Sequence, residues 1–566
     1  MITLATIEQI RAIEIESDAN GYSYEDMMDN AGRTIAERSA IILENIPEPR
    51  ITVIVGKGNN GGDGLIAGLY IAQNNPNADV RFYLLADRDD EYTKTAREAG
   101  LFVALADDDK DKRVLRNMIA SADLVIDALF GIGARIPIKG EAQKILRNVN
   151  RELNARASTH VDFIITPAEP NSKRILAPIY VLAVDCPSGI NCDTGEADSN
   201  AIHADETITF ISAKNGQFLY PAADYIGKLS VADISISKKL DTVKTLEDSV
   251  IDANWVKDKL PSRGNNGHKG TYGRALIIAG SVNYIGAPAL SAEATYRSGA
   301  GLVTVATPMS VVMALAGKLT EVTWMMLAHD MGVISENALN TVLKDLSKMK
   351  SLLIGPGLST EKTTGEFVKQ LLAVSNEKKK PAKRRIGFGV QGDDNTEKIE
   401  RENISLPPLV IDADGLNLLA KIDKWWELLP ENTILTPHPG EMGRLCDIST
   451  QEVQDNRWQL ARDKAQEWGV TLVLKGAYTV IASADGQFAV NPFAVDALAT
   501  AGTGDILAGL IAGLRAQGVS AFDAACIGAY VHGLAGQLAS NTANSRSLLA
   551  SDILAYIGEA FTAIEG

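Results

Sequence analysis

Residues 500–504 read Thr-Ala-Gly-Thr-Gly, Asp505 follows, and the apolar run Ile-Leu-Ala-Gly-Leu-Ile-Ala-Gly-Leu fills 506–514. A loop of small residues that passes abruptly into an apolar helical pattern delivers backbone N–H groups to a helix N-terminus, where partial positive charge favours an anion. Gly502, Thr503 and Gly504 would let the backbone come close to a phosphate. Asp505 repels such a phosphate unless it has another task. The chemical task open to it is to accept a proton from a hydroxyl that attacks phosphorus. On its own, Gly-Thr-Gly-Asp is more often a turn capping a core helix, and its company elsewhere in the chain reverses that balance.

A second set lies in the first half. A β-branched strand at 51–55 meets Gly-Lys-Gly-Asn-Asn-Gly-Gly-Asp-Gly at 56–64, and a helix is expected from 65 to about 73. The loop carries neither the Gly-x-Gly-x-x-Gly fingerprint nor a closing Gly-Lys-Ser/Thr. Asn59, Asn60, Gly61, Gly62 and Asp63 instead form a polar nest suited to phosphate, ribose or a monovalent cation. Strands at 124–127 and 179–184 end at Asp127 and at Asp185-Cys-Pro-Ser-Gly. Parallel strands present their carboxyl ends at one edge, so the Asn59 loop, Asp127 and Asp185 are expected to converge. One such aspartate is usually a cap; three polar strand ends at one edge favour a site.

Positioning these residues needs two α/β frameworks. A chain of 566 residues is too long for one core, and 46% hydrophobic with 22% charged residues describes ordinary globular domains. The net charge of −16 argues against a nucleic-acid partner while leaving local phosphate sites open. No apolar run reaches membrane-spanning length. Cys186, Cys192, Cys446 and Cys526 show no Cys-x-x-Cys spacing, so neither a disulfide framework nor a zinc site is expected, and a cytoplasmic location is.

Thr6 and Gln9 have capping-box spacing, and a further helix is expected at about 27–42. The polar, charged stretch at 237–261 marks a boundary, giving domains at 1–240 and 255–566 with a linker at 241–254. Past it, strands are expected at 274–279 and 302–306, the stretches 352–357, 409–417, 434–442 and 471–476 with 478–481 continue the series, and a small-residue helix at 286–301 packs closely on the sheet. The segments 155–177 and 376–406 interrupt the alternation and read as surface excursions.

Gly-Asn-Asn-Gly-Gly-Asp-Gly at 58–64, with Asp127 and Asp185-x-Pro-Ser-Gly, resembles the NAD(P)H-hydrate epimerase domain. Asn-Gly-His-Lys-Gly at 266–270, Gly-Pro-Gly-Leu at 355–358, Asp-Ala-Asp-Gly-Leu-Asn at 412–417, Thr-Pro-His-Pro-Gly-Glu at 436–441, Lys475-Gly476 and the 501–505 loop resemble the ADP/ATP-dependent NAD(P)H-hydrate dehydratases of the ribokinase-like superfamily. Together they look like the fused bifunctional repair enzymes. The resemblance implies a Rossmann-like three-layer α/β/α domain followed by a ribokinase-like α/β domain.

It further implies that the first domain interconverts the R and S forms of hydrated NADH or NADPH. The second would then phosphorylate the C6 hydroxyl of the S hydrate and eliminate phosphate. In the first domain the hydrate would meet Asn59, Asn60, Gly61, Gly62, Asp63, Gly131, Ile132, Gly133, Ala134, Arg135, Ile136, Pro137 and Asp185. Asp185 would be the catalytic acid or base, and Asn60, Asp127 and Ser188 would surround potassium. In the second, Ala287, Gly357, His438 and Asp505 would meet the hydrate, with Asp505 as the base. Lys475, Gly476, Ala477, Tyr478, Thr479, Gly502, Thr503 and Gly504 would meet ADP or ATP with magnesium.

On the residues alone His438, set between two prolines, is equally a turn histidine, and Asp412 and Asp414 are equally strand-end caps or indirect magnesium partners. A cytoplasmic homo-oligomer acting on small molecules, with no membrane or nucleic-acid partner, is the expectation. The competing reading is a small-molecule kinase that releases a phosphorylated product, fused to a non-catalytic dinucleotide-binding module.

Overall fold

The computed structural model describes residues 1–157, 178–374 and 405–566. Apart from their end residues, the excursions expected at 155–177 and 376–406 lie outside the described residues. The chain divides into two compact units, 2–248 and 249–566, the latter including Met1.

In the N-terminal unit seven parallel strands lie in the order Phe102–Leu105, Asp79–Leu84, Arg50–Val55, Leu124–Ala128, Tyr180–Val184, Glu206–Phe210 and Lys228–Ala232. The winding direction reverses between Arg50–Val55 and Leu124–Ala128, which opens a crevice at their carboxyl ends. Near-continuous aliphatic runs in the central strands match a sheet covered on both faces. A short parallel pair, Ile2–Ala5 with Ala213–Lys214, lies outside this sheet. The helix Ile7–Ala19 starts with the expected capping box: Thr6 Oγ1 accepts from Gln9 N at 3.2 Å, and Gln9 Oε1 accepts from Thr6 N at 2.8 Å.

The glycine-rich motif departs from expectation. Its helix spans Asn59–Asn74, so most of the supposed loop is the first turns of a helix. Glycine is a poor helix former, but here close packing requires it. A Cβ on Gly61 would stand 2.2 Å from the Gly56 carbonyl oxygen, and one on Gly64 would stand 2.4 Å from Ala128 Cβ. The cysteines also depart: Cys186 and Cys192, at two ends of the turn after Asp185, are paired, while Cys446 and Cys526 are free.

In the C-terminal unit nine strands run in the order Thr323–Leu327, Leu302–Pro308, Arg274–Ile278, Ser351–Ile354, Leu409–Ile411, Ile434–Leu435, Thr471–Leu474, Val480–Ala482 and Phe488–Val490. The first seven are parallel and the last two antiparallel. The small-residue helix Gly286–Arg297 packs against Thr503–Ala516 so closely that a Cβ on Gly509 would stand 2.3 Å from the Ser291 carbonyl oxygen. Thr295 Oγ1 donates to the Gly509 carbonyl at 2.9 Å, which fixes the height at which the second helix begins. Among the described residues no helix is long and apolar enough to cross a membrane.

Candidate active sites

At the crevice of the N-terminal sheet lies a cavity of about 420 Å³. Asn59, Asn60, Asp63, Gly131, Ile132, Gly133, Ala134 and Asp185 line it, as the sequence led one to expect. Gly61, Gly62, Arg135, Ile136 and Pro137 do not. Gly61 instead packs against the Gly56 carbonyl, and Gly62 against Met28 Sδ.

Asp185 ends its strand at φ 65°, a left-handed conformation that aspartate tolerates better than most residues. Its Oδ1 accepts from Lys214 Nζ at 2.5 Å and from Thr209 Oγ1 at 3.0 Å. Lys214 Nζ also donates to Thr209 Oγ1 at 2.5 Å and to the Phe210 carbonyl at 3.0 Å. Gln217 Nε2 donates to the Asp185 carbonyl at 3.2 Å, while Gln217 Oε1 accepts from Lys214 N at 2.9 Å. Lys214 and Glu14 line the cavity too, and nothing in the sequence singled them out. Burial, then the charges of Asp185 and Glu14, push the Asp63 carboxyl well above the ordinary carboxylate range. Burial and Asp185 also raise Glu14, against Lys214 and Arg11.

Asp127 and Ser188 are bonded to one another, and Asn60, on the cavity wall, abuts Gly131. Asp127 is fully buried; Oδ1 accepts from Ser188 Oγ at 2.6 Å and Oδ2 from Ser188 N at 2.7 Å. Ser188 Oγ accepts in turn from Phe130 N at 2.9 Å. A Cβ on Gly131 would stand 3.0 Å from Asn60 Oδ1, and Asn60 Nδ2 is a buried polar atom without a partner. Burial pushes the Asp127 carboxyl up to about 6, with the Ser188 bonds opposing. One carboxylate among neutral oxygens is a donor set suited to a large monovalent cation rather than a divalent one.

In the C-terminal unit the helix Thr503–Ala516 starts from Gly502, whose φ of 96° suits glycine. Thr503 Oγ1 donates to the carbonyls of Leu498 at 2.8 Å and Thr500 at 2.9 Å, so its hydroxyl shapes the turn. Asp505 is partly buried in the first helical turn. Its carboxyl is pushed up to about 7, first by burial, then by Asp412, Asp414 and Glu441, against the pull of Lys475. Lys475 Nζ contacts Asp412 Oδ1 at 2.7 Å and Glu441 Oε2 at 3.7 Å, and Asp412 Oδ1 also accepts from Thr436 Oγ1 at 2.8 Å. Burial works against the Lys475 charge, but Asp412 and Glu441 overcome it and raise the lysine further. Asp414, in the first turn of the helix Asp414–Leu419, accepts from Ser359 N at 2.8 Å.

His438 caps the helix Pro439–Cys446, its Nδ1 accepting from Gly440 N at 3.0 Å, while Glu441 Oε2 accepts from His438 N at 2.8 Å. Burial, Lys475 and Arg444 lower its pKa and keep the ring neutral. Ala287 and Gly357 come together: a Cβ on Gly357, at φ 62°, would stand 3.0 Å from Ala287 Cβ. Lys475, Gly476, Ala477, Tyr478 and Thr479 form the link between two strands. Arg457, unforeseen in the sequence, holds this link by donating to the carbonyls of Leu474 at 3.2 Å, Lys475 at 3.2 Å and Ala477 at 3.0 Å. His532, also unforeseen, is buried with Nε2 unpartnered, and burial plus Lys475 lower it to about 4.

Comparison with known proteins places both units. The NAD(P)H-hydrate dehydratase family matches residues 275–381 and 384–559, and the YjeF-related protein N-terminus matches 24–216. A bifunctional NAD(P)H-hydrate repair enzyme of Moorella thermoacetica is 35% identical over 541 residues, covering 94% of this chain and 91% of that protein. One from Thermofilum pendens is 32% identical over 572 residues, covering 99% and 96%. Among solved structures, an ADP/ATP-dependent NAD(P)H-hydrate dehydratase of Bacillus subtilis co-crystallised with ATP/Mg2+ is 27% identical, covering 56% of this chain and 99% of its own, with a TM-score of 0.45. With both halves matched in order and its relatives covered nearly end to end, this chain belongs to the family of bifunctional NAD(P)H-hydrate repair enzymes.

Proposed function

We propose that the C-terminal unit converts the S form of hydrated NADH or NADPH back to the reduced dinucleotide at the expense of ADP or ATP, and that the N-terminal unit interconverts the R and S hydrates. The observation that carries the first half is Asp505: a carboxyl raised to about 7 in the first turn of a helix, near the Lys475 cation. Such a group takes a proton readily near neutral pH and is poor at holding charge otherwise, which suits a base acting on an alcohol. Water added to the nicotinamide ring leaves a hydroxyl on C6, and hydroxide is a poor leaving group. As Asp505 takes the hydroxyl proton, the oxygen attacks the terminal phosphorus, and the backbone N–H groups at 502–504 with Lys475 receive the transferred phosphate. The N1 lone pair then expels phosphate from C6, and the iminium loses a proton from C5, taken up by the departing phosphate, so that the C5=C6 double bond reforms. Magnesium arrives with the nucleotide as part of the substrate, and Asp412 is the carboxylate best placed to meet it through water. Ala287, Gly357 and the neutral His438 would hold the hydrate.

In the N-terminal unit Asp185 faces the hydrate in the cavity, and Asn59, Asp63 and the 131–134 segment form its walls. Asn60, Asp127 and Ser188 would hold potassium, which supplies a fixed positive charge joining the Asn60 helix start to the turn after Asp185. The acidic composition and the absence of a nucleic-acid signature support a cytoplasmic small-molecule enzyme. A mixture of hydrate epimers given ADP or ATP tests both halves. Recovery of reduced-nicotinamide absorbance with stoichiometric free phosphate is expected. Accumulation of a stable phosphorylated product without reduced nicotinamide would overturn the reading.

A further inference from the structure

The cavity of the N-terminal unit holds more ionisable groups than the hydrate-binding assignment uses. Three carboxyls, Glu14, Asp63 and Asp185, line it together with Lys214 and Arg11. These groups are not equivalent. Lys214 is almost wholly buried, and its ammonium donates to Asp185 Oδ1, Thr209 Oγ1 and the Phe210 carbonyl, so all three of its protons are directed. Thr209 Oγ1 also donates to Asp185 Oδ1. An ammonium buried this deeply is tolerable only beside an anion. The pair therefore orients Asp185, whose Oδ1 is engaged by both the ammonium and the Thr209 hydroxyl. Glu14 has no such cation at hydrogen-bond distance, and from the helix Ile7–Ala19 it is only partly buried, so it can regain a proton from solvent.

We infer that Lys214 and Glu14 complete the epimerisation site: Lys214 is a positioning residue that keeps Asp185 as the proton-accepting carboxylate, and Glu14 is the proton-donating carboxyl on another wall of the same cavity. The inference rests on reading this unit as a hydrate epimerase. At C6 the hydroxyl sits beside N1. Glu14 gives its proton to that hydroxyl, the C6–O bond breaks, and the N1 lone pair forms a C=N bond as water leaves. A water on the opposite face adds its oxygen to C6, the C=N electrons return to N1, and the water's extra proton passes to Asp185. That proton returns to Glu14 through solvent, so one water leaves, one enters, and nothing is oxidised or reduced. Two carboxyls with different surroundings, one bonded to the Lys214 ammonium and the other partly buried on the helix Ile7–Ala19, serve the two faces. The groups facing Glu14 are Arg11 on its own helix, and Asp63, Asp185, Lys214 and Tyr24 from other elements. Burial and Asp185 raise its affinity for a proton, against the pull of Lys214 and Arg11.

The test uses the full chain with R hydrate and excess ADP, measuring dehydration of S hydrate alongside as an internal control. Lys214→Met is expected to lower kcat for R-hydrate consumption about 100-fold with little change in KM, and to move the rise of rate with pH upward; Lys214→Arg should restore part of both. Glu14→Gln should lower kcat by a similar factor and abolish the fall of rate at high pH, which Glu14→Asp retains. A Lys214→Met chain with an unaltered pH profile, or a Glu14→Gln chain within about threefold of the parent rate, overturns the inference, since loss of a proton donor costs far more than that. Should Lys214→Met fail to fold, the partly exposed Glu14 variants decide alone. If the unaltered chain leaves R hydrate unconsumed while converting S hydrate, the epimerase reading itself is what fails.

Discussion

Lys475 Nζ lies 2.7 Å from Asp412 Oδ1 and 3.4 Å from the point that a Cβ on Gly504 would occupy. The cation thus sits at the anion-binding turn, balanced by Asp412. Lys475→Met should leave Asp412 buried with Thr436 as its remaining side-chain partner, destabilising the C-terminal unit by about 3 kcal/mol in urea unfolding. Nucleotide binding should weaken as well, because the phosphate loses its counter-charge. Unchanged stability and unchanged nucleotide KM would remove Lys475 from the site.

Asp505→Asn keeps the volume and loses the proton acceptor. Dehydration of S hydrate should fall roughly 100- to 10,000-fold. Consumption of R hydrate into S hydrate, followed by chromatography without nucleotide, should continue at the parent rate.

The pH profile follows from the same carboxyl. A base works as its anion, so with Asp505 raised to about 7 the kcat/KM for dehydration should fall about tenfold per pH unit below that value and level off above it. Stability runs the other way. The folded state holds this proton more tightly than the unfolded chain does, so the contribution is fully present below pH 3.8 and is lost as pH rises through about 7. Asp505→Asn should accordingly match the parent Tm near pH 4 and exceed it at pH 8. Equal Tm values at pH 8 would show that the group is not desolvated.

Asp127→Ala should leave Ser188 N and Oγ without their buried acceptor, costing about 1–3 kcal/mol in the N-terminal unit. Epimerisation should lose its dependence on potassium and bind hydrate more weakly, whereas dehydration of S hydrate should not change. A potassium series with a large organic cation as replacement measures this; epimerisation indifferent to the ion in the parent would rule out the cation site.

Gly502→Ala places a Cβ 2.7 Å from Leu290 Cδ1 and forces alanine to φ 96°. The strain is expected to cost at least about 1–2 kcal/mol. It should raise the KM for nucleotide more than that for hydrate, because the turn that shapes the phosphate site is what moves.

The dehydration site was legible because its signals are local. Gly502, Thr503, Gly504 and Asp505 adjoin one another, and the loop-to-helix transition reads directly from apolar periodicity. The 58–64 segment was misread as a loop for an equally physical reason. Its glycines lower helix propensity, and only the tertiary approach to Gly56 and Ala128 reveals why a helix needs them there. Lys214 and Arg457 were invisible for a third. Each acts across the fold, Lys214 on a carboxylate 29 residues earlier and Arg457 on carbonyls 17 to 20 residues later, and a solitary basic residue carries no mark of its partner. The Cys186–Cys192 pairing was missed because two cysteines six apart fit no framework spacing.

The left-handed turn at Asp185 also constrains what descendants of this chain can become. Glycine, asparagine and aspartate enter that backbone region with the least strain, so the turn favours those types at position 185 before any chemistry is selected. A lineage that abandoned epimerisation would keep its shape with asparagine or glycine there only if Lys214 gave up its buried charge at the same time. Residues 185 and 214 are thereby bound to change as a pair, the turn at one and the buried charge at the other.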